Sequence, residues 1–138
     1  MARVVRFCKL LESYVGDNVF DISRPHIFGN PFTHLKNTAT KTVHVKSRDE
    51  AIRLYGEYFD AMVQRDETFR AEWDRMYEAY CKYEEIYLGC YCKLDEHCHA
   101  DMIAKKLAAR QSKEKIDAIM ASRRQKKNGN NATINGES

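Results

Sequence analysis

Apolar and polar positions along this chain switch between two periods, and the switches mark its elements. Arg3-Val4-Val5-Arg6-Phe7 is short and β-branched and reads as a strand, and Asn18-Val19-Phe20-Asp21-Ile22 reads as a second after the Gly16-Asp17 turn. Residues 23 to 46 hold both prolines, Pro25 and Pro31, and are irregular until a short strand at Thr42-Val43-His44-Val45. Ser47 followed by Glu50 forms a capping box, and the helix behind it carries Ile52, Tyr55, Tyr58, Phe59 and Met62 along one face. A second helix opens at Asp66 and turns Phe69, Trp73, Met76, Tyr77 and Tyr80 inward, with the spacing of a core rather than of a cofactor box. A strand through Ile86 to Cys92 follows. The last helix starts near Ala100, places Ile103, Leu107, Ile116 and Ile119 at helical intervals, and frays before Arg123. No internal repeat is visible.

Strands alternating with helices predict an α/β fold: one domain over residues 1–121, with a small parallel or mixed sheet covered by helices, Rossmann-like at most. The right-handed crossover rule then makes neighbours of the two irregular stretches, 23–46 and 92–99, if both leave the same edge of the sheet. They would share one crevice.

With 138 residues, 43% of them apolar and 11% aromatic, the chain is large enough to bury a core without staples. No apolar run approaches the roughly 20 residues of a membrane helix, and no charged start leads into a cleavable apolar segment. Five cysteines without such a leader predict reduced thiols in a cytoplasm. Charge sharpens the boundary at residue 121. Arg123, Arg124, Lys126 and Lys127 against Glu137 account for the whole net +3, so residues 122–138 read as a basic, then polar, disordered tail and the folded body is neutral. Nucleic acid is thereby disfavoured as a partner except through that tail.

Chemistry concentrates in residues 89 to 101, Gly-Cys-Tyr-Cys-Lys-Leu-Asp-Glu-His-Cys-His-Ala-Asp, a strand-to-helix loop with three cysteines. Cys90 and Cys92, at i and i+2 on a strand, point to one face, and Cys98 can return to them across a five-residue loop. Thiolates at such reach suit tetrahedral Zn²⁺ as cofactor, with His99 or His97 as nitrogen donor and Cys8 as a further source of sulfur. The spacing is not a C-x₂-C knuckle, and a histidine adjacent to Cys98 ligates the same ion only with strain. Reduced packing thiols are the plainer account. A catalytic reading uses Cys98, whose thiol pKa a helix N-terminus and His99 would lower, with His99 and Asp101 beside it; Cys81, among aromatic neighbours on a helix, reads as inert.

A ligand-binding reading needs no metal. Arg24 offers a bidentate grip on phosphate or carboxylate, the helix start at His99 and Asp101 favours anions, and Gly29-Asn30-Pro31-Phe32 forms a wall. There Gly29 allows close backbone approach, Asn30 an amide contact and Phe32 a stacking surface. The competing account makes Asp101 a helix-dipole partner, Asn30-Pro31 a turn and Arg24 a surface ion pair. No Walker A loop, G-x-G-x-x-G, G-x-S-x-G or H-E-x-x-H motif is present, which removes the familiar nucleoside-triphosphate, dinucleotide, hydrolase and metalloprotease signatures.

Arg3-Val4-Val5-Arg6, Ser23-Arg24-Pro25, Gly29-Asn30-Pro31-Phe32, Glu50-Ala51-Ile52-Arg53-Leu54-Tyr55, Gly89-Cys90-Tyr91-Cys92 and Cys98-His99-Ala100-Asp101 follow one another in an order that resembles domain-of-unknown-function family 4326, over roughly residues 2 to 110. The chain departs from that pattern at Ser23 and Ala100, where the family usually has Gly, at Tyr91, where it has Trp, and in an apparent insertion at 36–47. The resemblance implies the small α/β fold and the two-loop site, and, since the family occurs mainly in bacteriophages and bacteria, a phage-type protein working in a host cytoplasm. The expectation is a pocket for a nucleotide-like or phosphorylated small molecule, with enzymatic activity left open. The alternative is a noncatalytic zinc-stabilised module that binds a host protein.

Overall fold

A computed structural model of the chain describes residues 2–35, 42–92 and 96–136, with side chains through 125. The expected insertion at 36–47 therefore lies partly outside the described residues, as do most side chains of the expected tail. The chain divides into two compact units, Met1–Lys105 and Lys106–Ser138.

The first unit is built on a three-stranded, all-parallel sheet of β1 (Arg3–Cys8), β2 (Val19–Asp21) and β5 (Glu85–Cys90), in the order β1-β5-β2. Val4 faces Ile86, Phe7 faces Gly89 and Cys8 faces Cys90 on one side, and Phe20 faces Leu88 on the other. The central strand is the apolar one because helices cover parallel sheets on both faces: Ile86 and Leu88 are completely buried. Gly89 answers a steric demand, since a Cβ there would lie 2.6 Å from Cζ of Phe7. Strand β5 stops at Cys90, two residues short of the expected Cys92; Lys9 N donates to the Cys90 carbonyl, and β1, whose last paired residue is Cys8, runs no further alongside. Cys92 therefore belongs to the bend, not the strand.

The stretch 23–46 is less irregular than its prolines imply. Within it β3 (Phe32–Thr33) pairs in parallel with β4 (Val43–His44), joined by Val43 N to Pro31 O and Val45 N to Thr33 O. A two-residue strand has no periodicity to detect, which is why β3 escapes a pattern search.

Helix α1 (Arg48–Arg65) begins as the capping box requires: Ser47 Oγ accepts from Glu50 N at 3.1 Å. The return arm reaches one residue further back, from Lys46 N to Glu50 Oε2. Asp66 both ends α1, through its N–H to the Met62 carbonyl, and caps α2 (Glu67–Lys82), through a side-chain oxygen that accepts from Phe69 N. Phe69, Trp73, Met76, Tyr77 and Tyr80 are all buried, as the spacing predicts, whereas on α1 the buried set is Ala51, Tyr55, Gly56 and Phe59. Tyr58, Ile52 and Met62 are only half-buried. Phe59 joins the helices through edge-on contacts to Phe69 and Trp73, and Phe28 closes the cluster at 5.1 Å from Phe69.

Helix α3 spans His99–Gly136, longer than the pattern indicates. Within the second unit Leu107 is buried, while Ile116 and Ile119 are more than half exposed. Apolar spacing marks a helix face but cannot say what covers it. Pairs four residues apart, Arg110 with Glu114 and Lys113 with Asp117, support this stretch. Among the described residues no helix is long and apolar enough to cross a membrane.

Candidate functional site

All three strands of the main sheet are parallel, so their carboxyl ends lie on one side, where the crevices of open α/β sheets form. There β5 runs out into the cysteine loop and β2 into the loop that begins at Ser23. A cavity of about 540 Å³ lies between these loops and the start of α1. Eight of the residues singled out in the sequence line it: Arg24, Asn30, Phe32, Cys90, Cys92, His97, Cys98 and His99. Gly29 and Asp101 do not.

The first wall is braced from beneath. Tyr55, fully buried, donates its hydroxyl to the Phe28 carbonyl at 2.7 Å, and burial holds its phenol well above the usual range. Asn30 has its amide taken up locally: Oδ1 accepts from Phe32 N at 2.9 Å and Nδ2 donates to the Ala51 carbonyl at 3.2 Å. Arg24 Nη1 donates to the Asn30 carbonyl at 2.9 Å, which fixes the guanidinium against the wall that it lines. Close backbone approach at Gly29 comes from the chain itself, because a Cβ there would sit 3.0 Å from Arg24 and His26 backbone atoms. A pattern search gives no hint of the support under this loop. Asp21 accepts from Lys9 Nζ, from Ser23 N and from Ser23 Oγ, with His26 Nε2 3.1 Å away.

The second wall is the cysteine cluster. The sulfurs of Cys90, Cys92 and Cys98 lie within 4.8 Å of one another, close enough to hold a metal ion. Cys98 Sγ is 3.4 Å from Cys90 Sγ and accepts from Ala100 N at the start of α3. Cys90 and Cys98 are each 1% exposed, while Cys92 is half-buried on the cavity side. Sharing of protons splits the three. Hydrogen bonding with Cys92 and Cys98, reinforced by burial, drives the Cys90 thiol up. The same contacts from Cys90 and Cys98 overcome burial at Cys92 and bring it down, with His99 and Arg48 adding to the effect. At Cys98 the bond to Cys90 pulls down, but Cys92 and burial outweigh it.

His99 is buried and its ring meets Tyr55 edge-on at 4.9 Å. Burial depresses its pKa, against an opposing hydrogen bond to the Ile22 carbonyl. A carbonyl only accepts, so Nε2, 2.7 Å from Ile22 O, carries the proton and Nδ1 presents a lone pair 3.6 Å from Cys98 Sγ. His97, the other histidine of the loop, is exposed and pairs with Asp49 at 2.8 Å. Cys8 is buried on β1 and stands outside the three-sulfur group.

Arg48 is the functional-looking residue that sequence reasoning missed. It occupies the first turn of α1, its Nη1 lies 3.7 Å from Cys92 Sγ, and its Nη2 pairs with Glu96 at 3.1 Å. A basic residue directly behind an N-cap, where acidic ones are favoured, was the available signal. Arg6 adds a second guanidinium, donating to the Glu96 carbonyl at 2.6 Å and toward Cys98.

No curated protein and no solved structure matches the chain. The family model described as "Domain of unknown function (DUF4326)" matches residues 9–109. That match takes in both walls of the cavity, the Asp21 network beneath them and the three thiols, and the chain belongs to the DUF4326 family.

Proposed function

We propose that this chain binds a nucleotide-like or otherwise phosphorylated small molecule in the cavity at the carboxyl edge of its sheet, with a zinc ion on Cys90, Cys92 and Cys98 at the cavity wall. One observation carries the reading: a cavity of about 540 Å³, within the size range of small-molecule sites, has Arg24 and Arg48 on its lining together with the apolar face of Phe32. Two guanidiniums suit a phosphate. Phe32 suits a base or sugar face. Any chemistry on the ligand would fall to Cys92, Cys98 or His99, which also line it. The place of action is the cytoplasm, that of a host if the chain is phage-encoded.

Titration calorimetry with AMP and with ribose 5-phosphate tests this. Saturable binding is expected, and Arg24→Ala or Arg48→Ala should weaken it about tenfold or more, since a hydrogen bond to a charged group contributes roughly 1.5–3 kcal/mol. If neither compound binds the metal-replete protein, the pocket reading fails.

The near-complete burial of Cys90 and Cys98 supports a second reading, a noncatalytic zinc-stabilised module that docks on a host protein. Zinc removal would then unfold the domain, and phosphorylated compounds would leave its stability unchanged.

A further inference from the structure

We propose that the metal held by Cys90, Cys92 and Cys98 keeps one coordination position open to the cavity, so that an anionic ligand reaches the ion directly. The inference rests on the pocket and zinc reading above and extends it. Structural zinc sites are closed by four protein donors, whereas sites that act on ligands have three and an exchangeable fourth position. Among the described residues the group of mutually close donors contains three sulfurs and no histidine, aspartate or glutamate. His99, the neighbour of Cys98, lies outside that group; its Nε2 is held on the Ile22 carbonyl at 2.7 Å and its ring is edge-on to Tyr55. Its Nδ1 is 3.6 Å from Cys98 Sγ. All three cysteines line the cavity, so the face of the ion away from the sulfurs looks into the space where Arg24 and Arg48 stand.

Spacing and charge agree with this. Tetrahedral zinc–sulfur bonds of about 2.3 Å set sulfurs about 3.8 Å apart, and the observed separations, 3.4 Å for Cys90 to Cys98 and at most 4.8 Å within the set, bracket that value. Three thiolates on a divalent ion leave one net negative charge. Arg48, 3.7 Å from Cys92, and Arg6, bonded toward Cys98, offset it. Binding is an exchange: the water on the ion leaves as the ligand's oxygen, nitrogen or sulfur enters, with no change of oxidation state.

The experiment replaces zinc by Co²⁺ in the full-length protein and records its absorption during titration with thiocyanate, then with AMP. Expected are one ion per chain, a thiolate-to-cobalt charge-transfer band, tetrahedral d–d bands that shift saturably with thiocyanate, and competition between AMP and thiocyanate. Thiolate bands that stay unchanged at saturating thiocyanate show a closed site and overturn the inference. Absence of a cobalt–thiolate band overturns it as well. Calorimetric binding of AMP to the zinc protein separates the two readings: AMP binding with unresponsive cobalt bands leaves the pocket standing without the open position. Thiocyanate-responsive bands without AMP binding leave the open metal standing without the nucleotide-like ligand.

Discussion

Adding one methyl group at Gly89 tests the strand register on which the site is built. Gly89 pairs with Phe7 across β5 and β1 and immediately precedes Cys90. An alanine Cβ would come within 2.6 Å of Phe7 Cζ, 3.0 Å of Cε2 and 3.1 Å of Cε1, against an ordinary carbon–carbon separation of about 3.5–4.0 Å. The ring cannot swing clear freely: Phe7 is buried and Tyr14 stands edge-on at 4.9 Å. Overpacking of this kind costs about 1–3 kcal/mol, and loss of glycine's unfolded-state freedom returns about 0.4–1 kcal/mol. The net expectation for Gly89→Ala is a destabilisation of roughly 1–2 kcal/mol, or about 3–10 °C in Tm for a domain of this size. Urea and thermal denaturation should show it, and a double-mutant cycle identifies the cause. In a Phe7→Leu background the penalty should largely disappear, with a coupling energy of about 1 kcal/mol. If Gly89→Ala is as stable as the native protein, or costs the same in both backgrounds, the ring-over-glycine contact is not what demands glycine here.

Asp66→Ala removes the side-chain oxygen that caps α2 at Phe69 N while leaving the backbone bond that ends α1; denaturant unfolding should report a loss of about 0.5–2 kcal/mol, and no loss would show the cap to be dispensable. For Asp21, burial raises the carboxyl pKa, but Lys9 and Ser23 overcome that and hold it below the usual carboxylate range. A carboxyl lowered on folding stabilises the protein above the unfolded value, near pH 3.9, and the gain is lost as pH falls through the folded value. Stability measured against pH in Asp21→Asn should thus have a shallower acid limb than the native protein, and an identical slope would remove Asp21 as a contributor. Tyr55→Phe, which deletes the hydroxyl bonded to Phe28 O at 2.7 Å, should cost about 0.5–1.5 kcal/mol and loosen the Arg24 to Phe32 wall, seen as faster amide exchange at Gly29, whose N–H donates to the His26 carbonyl; unchanged exchange there would contradict that support.

Much was legible in the sequence because it depends on local rules. The inward face of α2 follows from a period of 3.6, and on α1 so do Tyr55 and Phe59 but not Ile52, Tyr58 and Met62, which are only half-buried; the helix starts follow from Ser47 and Asp66 as caps, and β1, β2 and β5 from short β-branched or apolar runs, since each signal acts within one or two turns of chain. A neutral body and a basic carboxyl-terminal segment need only counting. The meeting of the loops after β2 and β5 was within reach of a topological rule, because parallel strands send their carboxyl ends to one side. What depends on long-range packing was not legible. Arg48 enters the site only because α1 starts at the cavity, Asn30 has its amide occupied only because Ala51 lies opposite, and Asp101 is exposed and off the cavity because the register of α3 turns it outward. The three sulfurs could be listed from spacing, but their convergence needed β5 to end at Cys90, so that the bend at Cys92 and the start of α3 close on one point. Sequence determines which groups are present and which local conformations they favour; which of them share a few ångströms is decided by the balance of packing across the whole fold, to which distant residues contribute as much as near ones.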